Sequence, residues 1–113
     1  MKENPESKVL DVENRYSNFQ ITSAEAEHYL LALIDEYGAE FVLDRVGQKL
    51  RNIVHKWFDE APKTSEDWQK MKVFEARQNS DSIPEYVAVP MTPDEINARL
   101  KVIRLLDKYF KEN

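Results

Sequence analysis

The sequence predicts a mainly α protein, a small helical bundle of about four helices with one short extended segment near residues 83–91. Three observations lead there. The 113 residues include only two glycines, Gly38 and Gly47, and abound in Leu, Glu, Lys and Ala, which favours helix over a turn-rich β design. The stretch 41–58, FVLDRVGQKLRNIVHKWF, places Leu43, Val46, Leu50, Ile53 and Trp57 at 3-4-3-4 spacing, one stripe along an α-helix. Thr22 with Glu25 three residues later, and Thr92 followed by Pro93, Asp94 and Glu95, each mark a helix start ahead of an apolar-periodic segment. The length fits one helical domain, 9–113, behind a polar N-terminal tail, 1–8, expected to be disordered because it has no apolar periodicity.

Residues 9–21 fit neither period: Val9, Leu10, Val12, Tyr16, Phe19 and Ile21 suit a short helix or an extended arm equally. A helix follows from about Ser23 to Tyr37. Thr22 and Glu25 form its capping box, Ile21 its hydrophobic staple, and Gly38 its left-handed stop. The 41–58 stripe belongs to a second helix, about 39–60, ended by Pro62. Gly47 inside it marks either a close helix crossing or a break, and an unbroken amphipathic helix is the expectation. Thr64 or Ser65 caps a third helix, with Trp68, Met71 and Phe74 on one face, fading near Asn79. Ser80, Asp81, Ser82 and Pro84 read as loop, and Tyr86–Val89 as an extended segment whose partner is residues 9–14 or another chain. The last helix starts at Thr92, Pro93, Asp94 and Glu95. Its face is Ile96, Leu100, Ile103, Leu106 and Phe110, and the surplus apolar residues Val102, Leu105 and Tyr109 suggest a self-association surface.

Composition removes several kinds of chemistry. Without cysteine there is no disulfide, thiolate zinc site or cysteine nucleophile. No Gly-x-Ser-x-Gly, Gly-x-Gly-x-x-Gly or Walker lysine loop is present, and no cofactor is called for. Glu25 and His28 have Glu-x-x-His spacing, as in carboxylate-bridged di-iron bundles, but Asn52 stands where a matching motif before His55 would need its glutamate. A surface helix with an incidental histidine is the better account, and neither a metal site nor a catalytic residue is assigned. The longest apolar run, Tyr29–Ile34, is far too short to span a bilayer, and the first residues carry no signal-peptide pattern. A cytoplasmic protein with no membrane partner is expected.

The net charge of −5 is unevenly spread. Residues 1–40 carry nine acids and three bases, and 59–113 eleven acids and nine bases. Between them, 41–58 sets Asp44 against Arg45, Lys49, Arg51 and Lys56. Those four cations are the candidate contacts for a partner. The leading expectation is a non-enzymatic helical protein–protein interaction or adaptor module that associates with itself. The alternative is DNA recognition by a helix-turn-helix with its turn at Gly47 and its basic face on the second half. The acidic balance disfavours a nucleic-acid partner relative to a protein.

One stretch has a family likeness. Leu100, Lys101, Leu105, Leu106 and Lys108, within 99–110, match the Leu-Lys-Ala-Leu-Glu-Leu-Leu-Gly-Lys pattern near the C-terminus of some bacteriophage small terminase subunits, whereas Ile103, Arg104 and Asp107 depart from it. The segment resembles that family over about a tenth of the chain. The resemblance implies a phage-encoded, ring-forming, non-enzymatic DNA-recognition protein that works in the host cytoplasm and engages a packaging motor.

Overall fold

The computed structural model describes residues 4–78 and 84–112; side chains within 74–78 and 84–86 are left aside. Among these residues are six helices and two strands: α1 Pro5–Ser17, α2 Ser23–Tyr37, α3 Ala39–Leu43, α4 Gln48–Glu60, α5 Ser65–Lys70, β1 Lys72–Gln78, β2 Pro84–Pro90 and α6 Pro93–Glu112. The mainly helical class is as predicted. The chain forms two compact units where one domain is expected: residues 1–61 with 101–113, and residues 62–100.

The first unit holds the main core. Leu30, Ile34, Val42, Leu43, Leu50, Val54 and Leu106 are all essentially inaccessible to solvent. Each fully buried side chain of this size contributes about 1.5–3 kcal/mol relative to exposure. Val9 and Val12 of α1 join the same cluster. Residues 5–8 are therefore not a disordered tail. Asn4 caps α1 by accepting from the Glu6 N–H at 2.9 Å, and Pro5 sits in the first turn, where its missing N–H has no consequence. Three polar contacts then fix α1: Glu6 with Arg45, Lys8 Nζ donating to the Tyr37 hydroxyl at 3.4 Å, and Glu13 Oε1 accepting from the Gly47 N–H at 3.1 Å.

Helix α2 spans Ser23–Tyr37 as predicted, and both halves of its capping box form: Thr22 N–H to Glu25 Oε1 at 3.0 Å, Glu25 N–H to Thr22 Oγ1 at 3.1 Å. No basic residue of α2 occupies its last turn. Lys101 of α6 supplies that cation instead, donating to the Asp35 carbonyl at 2.9 Å and pairing with its carboxylate at 3.2 Å. Gly38 turns the chain into α3 at φ 95°.

The predicted helix 39–60 is broken. Helix α3 stops at Leu43, and α4 begins after Gly47, which has ordinary extended backbone (φ −76°, ψ 173°). The apolar stripe survives the break, since Leu43, Val46, Leu50 and Val54 are all buried on the two sides of it.

In the second unit Thr64 caps α5 through the Asp67 N–H at 3.1 Å. Helix α5 ends at Lys70, well short of Asn79, because Met71 turns extended and Lys72–Gln78 pairs antiparallel with Pro84–Pro90. The partner of the extended segment within the chain is thus β1, not residues 9–14. The ladder of a β-prone Tyr-Val-Ala-Val run outweighs the helical spacing of Trp68, Met71 and Phe74. The expected loop at Ser80–Ser82 lies outside the described residues. Helix α6 begins with a second Thr–Glu cap: Glu95 N–H donates to Thr92 Oγ1 at 3.2 Å and Thr92 N–H to Glu95 Oε1 at 3.3 Å. The Thr92 hydroxyl also donates to Glu95 Oε1 at 2.9 Å, and this bond, then that from the Thr92 N–H, holds the Glu95 carboxyl below its ordinary range.

Candidate functional site: the α1–α2 corner and the exposed face of α4

The four cations of 41–58 do not form one free patch. The Arg45 guanidinium lies 3.8 Å from the centre of the Phe41 ring, donates to the Phe41 carbonyl at 3.0 Å and pairs with Glu6 at 3.2 Å. It is a tie between α1 and the α3–α4 turn. Arg51 is half-buried and donates to Gln48 Oε1 at 3.2 Å. Lys49 and Lys56 are exposed, and neither makes an ion pair within 4 Å among the described residues. With Asn52 they share one side of α4, at i, i+3 and i+7. Lys56 faces Glu27 of α2, whose carboxyl is pushed up by burial and by Glu60 and lowered in part by Lys56.

The self-association residues are likewise taken up within the chain. Val102 is buried in the core, and Leu105 and Tyr109 pack half-buried against it. The Tyr109 hydroxyl donates to Asp44 Oδ1 at 2.9 Å; burial, then this contact, raises its pKa. Of the three, Val102 is taken up inside the unit, and Leu105 and Tyr109 keep part of their surface exposed.

Glu25 is engaged in the α2 cap and His28 stacks edge-on to Tyr29 at 5.8 Å. Among the described residues no group of three or more His, Asp or Glu side chains could hold a metal ion. His55 Nδ1 lies 3.1 Å from Asp59 Oδ2, with its ring 4.6 Å from Phe110.

The residue that sequence reasoning passed over is Phe19. Helix α1 ends in a Schellman motif: the Phe19 N–H donates to the Tyr16 carbonyl at 3.1 Å and the Gln20 N–H to the Arg15 carbonyl at 2.8 Å. That motif requires a left-handed residue after the cap, a place usually filled by glycine, and here filled by Phe19 at φ 59°. The ring is 95% exposed, so it gains nothing from the core. Beside it runs an open groove of about 380 Å³ lined by Tyr16, Ser17, Ile21, Ser23 and Lys49. A left-handed conformation costs a residue with a Cβ about 1–2 kcal/mol. The legible signal was that the apolar residues of 9–21, Phe19 among them, fit neither period.

Helix α4 shows a second anomaly. Lys49 and Arg51 sit at its N-terminal end, and Asp59 and Glu60 at its C-terminal end, with no acid in the first turn and no base in the last. Both placements are unfavourable, because they put like charge at each end of the helix dipole. The N-terminus is instead met by Glu13 from α1.

No family model matches the chain, and neither the curated proteins nor the solved structures gave a match. Among the described residues no helix is long and apolar enough to cross a membrane.

Proposed function

We propose that the protein is a non-enzymatic protein-interaction module whose binding surface is the α1–α2 corner. One observation carries this reading. Phe19 combines a strained backbone, which glycine would supply without strain, with a fully solvated ring that gains nothing from the core, and a partner's surface would offset both by burying the ring. The test is affinity capture from the native host with the wild-type chain and Phe19→Gly. At least one protein is retained by the wild type and lost with the variant; identical sets of captured proteins would remove the reading.

The alternative is DNA recognition through α4. Its support is the break at Gly47, which makes α3–turn–α4 a helix-turn-helix-like arrangement, together with cations gathered at the positive end of α4. It is weakened by Arg45, which is held by Glu6 and Phe41. The small-terminase resemblance of 99–110 belongs with this reading and rests on the sequence pattern alone. Duplex binding that weakens steeply with salt and disappears when Lys49, Arg51 and Lys56 are neutralised is its expected signature. Absence of any shift with duplex DNA at low salt would dispose of it.

A further inference from the structure

The residues of 39–60 give little reason of their own for the break between α3 and α4. The stretch contains no proline, and the stripe of Leu43, Val46, Leu50, Ile53 and Trp57 keeps helical spacing straight through it. Asp44 has helical backbone (φ −72°, ψ −16°), and its bond from the Tyr109 hydroxyl leaves it so. Gly47 departs from helix in ψ, not φ (−76°, 173°), so no positive φ demands glycine there. As a helix start the site is unfavourable. Gly47 has no side chain to cap with, no acid follows in the first turn, and Lys49 and Arg51 stand near the positive end of the dipole. In one continuous helix both cations would lie mid-helix, free of that repulsion.

What holds the break comes from α1. Glu13 Oε1 accepts from the Gly47 N–H at 3.1 Å, a group that a continuous helix would bond to the Leu43 carbonyl. Two turns earlier on α1, Glu6 holds the Arg45 guanidinium at 3.2 Å. Arg45 Nη1 donates to the Phe41 carbonyl at 3.0 Å, which a continuous helix would bond to the Arg45 N–H. That N–H turns to the Val42 carbonyl instead, at 3.2 Å. Glycine at 47 suits the clasping carboxylate: a Cβ there would lie 2.8 Å from Glu13 Oε1, so a methyl group displaces it.

We infer that α1 is a clasp on a two-state element: with Glu6 and Glu13 in place 39–60 is two helices, and without them it joins into one. The inference goes beyond the interaction-module reading and does not depend on it. The helix-turn-helix-like form of α3 and α4 exists only while the clasp is closed.

The experiment is backbone NMR on the full chain, comparing the wild type with Glu13→Ala, with Glu6→Ala and Glu13→Ala together, and with Gly47→Ala. Alanine suits the interior of α1, so the glutamate variants keep that helix. Cα chemical shifts report the conformation of residues 44–47, and hydrogen exchange reports the amide of residue 47. The wild type is expected to show an extended shift at Gly47 and a protected amide. In the double glutamate variant the shifts of 44–47 should move to helical values while the amide stays protected, now by the Leu43 carbonyl. Gly47→Ala should do the same; if that chain fails to fold, the double glutamate variant decides alone. Unchanged shifts in the double variant overturn the inference. So do shifts that turn to coil with protection at residue 47 falling about tenfold or more, which would make Glu13 only a cap for α4.

Discussion

Two corners flank α2, and both require a positive φ. At its C-terminal end the chain turns through Gly38 at φ 95°; at its N-terminal end it turns through Phe19 at φ 59°. Glycine meets the requirement with no Cβ to clash, and a Cβ built at Gly38 would find open space within 4 Å, so only the backbone dictates the residue there. At Phe19 the same logic calls for glycine or asparagine, and Asn18 stands one place too early to serve. The Gly38 corner is built for the fold. The Phe19 corner gives up stability that a glycine there would keep.

Substitutions at the two ends of α2 should separate them. The largest effect is expected at Gly38. Its φ and ψ (95°, 157°) lie in a region reserved almost wholly for glycine, and Gly38→Ala should destabilise by about 1–3 kcal/mol in urea unfolding. A loss well under that would mean the corner relaxes and the contrast with Phe19 is empty. Next is Thr22→Ala, which removes the cap of α2 beside Phe19 and should cost about 1 kcal/mol. Phe19→Gly comes third and has the opposite sign, a gain of about 0.5–1 kcal/mol by the same measurement at monomer concentrations. The smallest effect concerns Glu27, within α2. Its pKa is raised above the usual 4.5, chiefly by burial and then by Glu60. The folded state therefore holds this proton more tightly than the unfolded chain does. Glu27's contribution to stability is fully present below 4.5 and declines as pH rises through its raised folded value. Glu27→Gln should flatten that part of the pH–stability curve, and an unchanged curve would mean the neighbouring charges are screened by solvent.

Much of the fold was legible because its signals are local. Thr22 with Glu25 and Thr92 with Glu95 announce helix starts within a few residues, and both caps form. The same logic applied to Asn4, Pro5 and Glu6 would have found α1, but the charged run around them hid the pattern. The period of 9–21 looked spoiled because Leu10 and Phe19 do not belong to the buried face made by Val9 and Val12; they are exposed. What resisted reading was nonlocal. The break at Gly47 is accompanied by a carboxylate 34 positions upstream and by Arg45 reaching Glu6 across 39. Strand β1 follows from its partner, since its own residues fit a helical face equally well. Of the candidate site, the cations were visible but their engagement was not, and Phe19 was visible only as an irregularity.

Helix α4 has a consequence for how partners meet. Lys49 and Arg51 at one end and Asp59 and Glu60 at the other add to the peptide dipole where most helices oppose it. Roughly 15 Å separates the two groups at 1.5 Å per residue. The element behaves as a compass needle in the field of another charged surface. Such a field orients the element before contact, and the effect weakens as salt shortens its reach.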